Sequence, residues 1–169
     1  MPDTPKPYSL KQALEFTEIG SQTMRHWRDV LPPLQGRRAH GSGFSARDLL
    51  AILVVKIWVN ELGGQVGSLK QSANSLFAIC AEESWPKFEQ SLLVYRVDSK
   101  SWCLADLDAR IAWESGAILL PIHRLAAQLR EQLTGEVNNP QQALNFPLMS
   151  VKSDARSVAK AKPRHKEMK

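Results

Sequence analysis

The segment from Ser45 to Gly64 limits the fold of this chain more than any other. Ser45-Ala46-Arg47-Asp48 offers a hydroxyl at an N-cap and an acid three residues later, which predicts the start of a helix, and Gly63-Gly64 predicts its C-cap. Between these signals Leu49, Ile52, Leu53, Val55, Ile57, Val59 and Leu62 occupy so much of the helix circumference that no face is left for water. Such a helix must be enclosed, by neighbouring elements or by a second subunit. With 169 residues, 43% of them apolar, the chain has material for one domain, or one domain and a small annex, to enclose it.

Two shorter helices precede it. Ser9-Leu10-Lys11-Gln12 reads as a capping box, with Leu10, Ala13 and Leu14 on one face of the helix it opens. Glu18-Ile19-Gly20 reads as a tight turn in which Gly20 takes the backbone angles that other residues avoid. A second helix, about residues 21–30, turns Met24, Trp27 and Val30 inward and leaves Gln22, Arg25, His26 and Arg28 on its outer or flanking faces, before Leu31-Pro32-Pro33 stops it. Residues 34–44 are rich in Gly, Arg and small polar side chains, and Gly36, Gly41 and Gly43 favour a hairpin or exposed loop, a wing.

After the long helix, a fourth is predicted from Ser68, with Gln71 at N3 and Leu69, Ala73, Leu76, Phe77 and Cys80 on one side. The pattern changes near residue 85. Residues 92–97 and 102–104 read as strands joined by a turn, Ala117 to Leu120 as one more strand, and Pro121 as the start of a helix striped by Ile122, Leu125, Leu129 and Leu133. From Lys152 on, large apolar residues are almost absent, which predicts disorder. The division expected is 8–84, 86–134 as a small α+β annex, and 135–169 as a flexible basic tail.

The net charge of +5 is local: residues 152–169 hold seven Lys/Arg against Asp154 and Glu167, and the rest of the chain sums to zero. Within that neutral part, Arg25, Arg28, Arg37, Arg38, Arg47 and Lys56 face only Asp29 and Asp48 between Gln22 and Lys56, a candidate polyanion face. Other classes find less support. The longest apolar run, Leu49 to Val55, is far shorter than the roughly 20 residues that cross a bilayer, so no membrane partner is expected. The first residues lack a secretory pattern, and Cys80 and Cys103 are too few for a disulfide framework or zinc ribbon, so a cytoplasmic, nucleoid-associated protein is expected. His26, His40, His123 and His165 lie in four different segments without metal-ligand spacing. No phosphate loop or nucleophile elbow occurs, and Asp106, Asp108 and Glu114 read as a turn or helix start. Neither catalysis nor a cofactor or metal is expected. Cys80 and Trp27 read as core.

Two short helices and a tight turn, then a Gly/Arg loop, then a longer capped helix is the order of a winged helix-turn-helix, whose second helix enters a DNA major groove while loop arginines reach phosphates. The fold class expected is mainly α, with that domain followed by the annex and tail. Tyr8-Ser9-Leu10, Thr23-Met24-Arg25-His26-Trp27, Leu31-Pro32-Pro33 and Phe44-Ser45-Ala46-Arg47-Asp48-Leu49 carry a resemblance to the MerR-type winged-helix DNA-binding domain over about residues 8–80. The resemblance implies DNA contact by Thr23 and Arg25, with His26 in an aromatic slot, and by Arg37 or Arg38 at the root of the wing. His40-Gly41-Ser42 stands where that family usually carries Gly-Tyr-Arg, and its long dimerising helix does not follow directly. The DNA-binding set is therefore Ser21, Gln22, Thr23, Arg25, His26 and Arg28 with Arg37, Arg38 and His40.

The function expected is a sequence-specific transcription regulator that binds double-stranded DNA as a homodimer, with no small-molecule effector identified. The long helix or the Ile122 to Leu133 stripe would form the seam. A phage-type accessory factor, either an excisionase or a small terminase subunit, fits the same residues, as does a winged-helix interaction module that has lost DNA. In the plainer alternative, Arg25 and Arg28 belong to a solvated face paired with Asp29 and Glu18, and the basic tail serves solubility.

Overall fold

Helix α1 (Leu10–Thr17) begins where its capping box predicts: Ser9 Oγ accepts from the Gln12 backbone N–H, and Gln12 Oε1 accepts from the Ser9 N–H at 3.0 Å. The same reciprocal arrangement, with Asp48 Oδ2 accepting from the Ser45 N–H at 2.8 Å, opens α3 (Ala46–Asn60). Between them lie α2 (Ser21–Val30) and a 3-10 turn at Pro32–Leu34. The structure, a computed structural model, describes residues 7–35, 43–108 and 116–135, all within the compact unit formed by residues 1–138.

The turn between α1 and α2 differs from its sequence reading. The left-handed residue is Glu18, with φ 52°, and Gly20 is extended with φ −66°. The reason is local: Glu18 closes α1 by donating its N–H to the Leu14 carbonyl, and Gly20 serves α2 as an extended N-cap.

Helix α3 is enclosed by its own chain. Leu49, Leu50, Ala51, Ile52, Val54, Val55 and Trp58 are buried against α1, α4 (Ala73–Glu82) and α6 (Ile122–Thr134), and only Leu62, beyond the end of the helix, is 46% exposed. The fourth helix starts at Ala73 and not at Ser68, because residues Val66–Leu69 form a 3-10 turn that buries Val66 and Leu69. The Ser68 hydroxyl is engaged elsewhere: it donates to the Gln65 carbonyl at 2.6 Å and accepts from Trp58 Nε1 at 3.2 Å. The expected apolar side of the helix holds, with Ala73, Leu76, Phe77 and Cys80 buried.

A five-residue helix, α5 (Trp85–Glu89), follows, and then the strands β1 (Ser91–Arg96), β2 (Ser101–Asp106) and β3 (Ala117–Leu120). They form an antiparallel sheet in the order β2-β1-β3, with Tyr95 opposite Trp102 and Leu93 opposite Leu120. One face of the sheet lies against the helices. Tyr95 and Trp102 meet Trp58 of α3 edge-on, at centroid distances of 4.9 Å and 6.0 Å, and tilt against each other at 4.7 Å. Lys87 and Asp106 form an ion pair between α5 and β2.

Helix α6 buries Ile122, Ala126 and Leu129 against α3, α5 and β1, and Arg130 pairs with Glu89 at 2.7 Å. Of the residues that the sequence offers as a dimer seam, Ile122 and Leu129 are buried within the chain, whereas Leu53, Ile57, Leu125 and Leu133 are half-buried, and Leu53, Ile57 and Leu125 line a groove between α3 and α6. The described residues form a mixed fold of six α-helices and a small three-stranded sheet. No helix among them is long and apolar enough to cross a membrane. The basic tail lies outside the described residues.

Candidate nucleic-acid interface

Helix α2 owes its orientation to two side chains. Met24 and Trp27, 1% and 2% exposed, anchor it in the core that Ala13, Leu31, Leu34 and α3 share, with Val30 half-buried beside them. A helix buried along one side presents the opposite side at positions offset by about half a turn. There Gln22, Arg25, His26 and Asp29 are exposed, flanked by exposed Ser21 and Thr23 and half-buried Arg28. Among the described residues no side-chain hydrogen bond caps α2, which leaves the N–H groups of its first turn and the positive end of its dipole without a side-chain acceptor.

Grooves run along both flanks of the helix. One, of about 610 Å³, is lined by Leu10, Ser21, Arg25, Arg28, Asp29 and Gln35. The other, of about 730 Å³, is more apolar and lies between Gln22, Thr23, His26 and Val30 on one side and Val59 and Val66 on the other. The six α2 residues expected to bind DNA divide between the two flanks, Ser21, Arg25 and Arg28 on the first groove and Gln22, Thr23 and His26 on the second.

Among the described residues no carboxylate forms an ion pair with Arg25 or Arg28, and the buried Nε of Arg28 has no hydrogen-bond partner. The pairings with Glu18 and Asp29 that would make them a plain solvated face are absent; Glu18 pairs with Lys56 at 3.2 Å. The rest of the basic cluster does not gather here. Lys56 lies on the groove between α1, α3 and α6, and Arg47 donates to the Ala81 carbonyl, tying the start of α3 to the end of α4. Proximity in sequence placed these two cations in the count; helix geometry sends them to other faces.

Arg37, Arg38 and His40 lie outside the described residues; of the residues that flank their segment, Gln35 is held by α2 and Phe44 by the chain ahead of α1. On one side, Gln35 Nε2 donates to the Asp29 carbonyl at 3.0 Å. On the other, Phe44 and Tyr8 exchange two backbone hydrogen bonds of 2.8 Å, and Tyr8 also meets Phe16 edge-on at 5.4 Å. The Tyr8–Phe44 approach requires glycine next to it, since a Cβ on Gly43 would stand 2.6 Å from Pro7 Cβ.

Asp29 and Gln35 are the groove residues that sequence reasoning missed. For Asp29 a signal existed, because it stands seven residues after Gln22 and so on the same line of the helix. For Gln35 none did. Among the described residues no three His, Cys, Asp or Glu side chains come together as a metal site. Burial, with Asp48 nearby, pushes the Cys80 thiol up to about 12, which leaves it protonated and unreactive. Comparison with protein-family models, curated proteins and solved structures found no match.

Proposed function

We propose that this protein is a MerR-like winged-helix transcription regulator that lays the exposed side of α2 in the major groove of double-stranded DNA. One observation carries the reading: α2 is pinned by Met24 and Trp27 and turns outward Gln22, Thr23, Arg25 and His26, and among the described residues no carboxylate forms an ion pair with Arg25 or Arg28. Exposed amide and guanidinium groups at helical spacing suit base edges, and half-buried Arg28, its stem held in the groove beside Leu10, suits a phosphate. Arg37, Arg38 and His40 would add backbone contacts from the wing. A homodimer would supply two half-sites and the affinity that one short helix lacks.

Salt titration of binding to duplex DNA, followed by fluorescence anisotropy, tests this. Arg28→Ala should weaken binding and flatten the log-log salt dependence by about one unit for the phosphate no longer neutralised, whereas Arg25→Ala should weaken binding and relax the preference at one base position. An unchanged slope in the first variant together with unchanged affinity in the second would defeat the proposal. Arg37→Ala tests the wing in the same way.

A further inference from the structure

Asp29 is out of place on a surface that meets only phosphate. Gln22, Arg25 and Asp29 are all exposed and stand at i, i+3 and i+7, so they rise in one line along the side of α2 opposite Met24 and Trp27. Arg25, Arg28 and Asp29 line one groove. No ion pair joins the Asp29 carboxylate to either guanidinium, although Arg25 is four residues away, a spacing at which such pairs form. The carbonyl of Asp29 is held by Gln35, which fixes the last turn of the helix and so the place from which the carboxylate projects.

A partner that satisfies all these groups must offer acceptors to the arginines and a donor to the carboxylate. A row of phosphates offers no donor and is repelled by Asp29. Base edges in the major groove offer both, because guanine presents O6 and N7 to an arginine and cytosine presents its N4 amino group to a carboxylate. We propose that Asp29 is a specificity-determining residue that accepts a hydrogen bond from a cytosine amino group, an inference that rests on the DNA-binding reading above. Four residues of helix advance about 6 Å, and successive base pairs stand about 3.4 Å apart. The cytosine therefore lies within about two base pairs of the position that Arg25 reads, and it is a different position. At sequences without it, the carboxylate is left unpaired next to phosphates, which weakens binding to the wrong site.

Selection from duplexes with a random core tests the assignment, using the full chain as wild type, Asp29→Asn, Asp29→Ala and Arg25→Ala. The wild-type motif should contain one cytosine that becomes adenine with Asp29→Asn, since an asparagine amide pairs with adenine N6 and N7. That position should lose its preference with Asp29→Ala, by about tenfold in discrimination, and the position that Arg25→Ala erases should persist in both Asp29 variants. One motif common to wild type and both Asp29 variants overturns the assignment. A change confined to the Arg25 position also overturns it, because Asp29 would then only support that side chain. Failure of the wild type to enrich any duplex removes the DNA reading and this inference together, whereas a motif indifferent to Asp29 removes the inference alone.

Discussion

At the scale of single residues, two positions connect packing to a measurable property. A Cβ on Gly64 would stand 2.1 Å from Trp58 Nε1, whereas one on Gly67 would meet nothing within 4 Å. Gly64→Ala should therefore lower the free energy of unfolding by about 1–3 kcal/mol through overpacking, and Gly67→Ala should stay within about 0.5 kcal/mol of wild type; urea denaturation of the pair checks both. Cys80 holds its proton to about 12 in the native state, against an ordinary value of 9.0. Above the lower value the native chain binds one more proton than the unfolded chain. The stability Cys80 contributes is thus complete below pH 9 and declines, by about 1.4 kcal/mol per pH unit, as pH climbs toward 12. The stability advantage of wild type over Cys80→Ala should shrink across that range. At pH 8 a thiol reagent should label half-buried Cys103 and spare Cys80.

The helices depend on their ends as much as on their faces. Ser45 satisfies two of the first-turn donors of α3 jointly with Asp48, so Ser45→Ala should cost about 1 kcal/mol, read as a lower urea midpoint at unchanged slope. The α1–α2 turn responds in the opposite sense. Glu18 is left-handed at φ 52°, its carboxylate is 78% exposed, and its ion pair with Lys56 is worth little in water. Glu18→Gly removes the backbone strain and should stabilise the protein by about 0.5–1 kcal/mol. Since this turn joins α1 to α2, the proposed DNA binding, measured in the same variant, reports whether a stiff turn matters to it.

For the molecule as a whole, the described residues share one core. The side chains around α3 come from both sides of residue 85: Leu69, Leu76 and Cys80 before it, Tyr95, Trp102 and Leu129 after it. Trp58, Tyr95 and Trp102 form the joint between α3 and the sheet. Trp102→Ala should cost about 3–5 kcal/mol. Loss of stability should appear at one temperature whether unfolding is followed by helix signal or by aromatic signal, because no separate core remains in either half. A chain ending at residue 84 would expose one side of α3 and should not unfold cooperatively.

The hydroxyl N-caps of α1 and α3, the periods of α1, α2, α3 and α6 and the three strands were legible in the chain, because each rests on spacing of 3.6 or 2 residues or on a hydroxyl at a defined start, whereas α1 ends on left-handed Glu18 and α3 has its C-cap at Glu61, short of Gly63-Gly64. Legible too was the outward set on α2, which follows from the burial of Met24 and Trp27 on one side of a single helix. Three things were decided only in three dimensions. The fourth helix starts late because Ser68 is held by Trp58, a partner ten residues away. The basic cluster divides, since Arg47 and Lys56 find a carbonyl on α4 and a carboxylate after α1. And Gln35 closes the groove that Arg25, Arg28 and Asp29 line, a contact across a turn that no period encodes. Local order is written in neighbours three or four residues apart, whereas a site is written in distances between elements, and those are fixed only when the core closes.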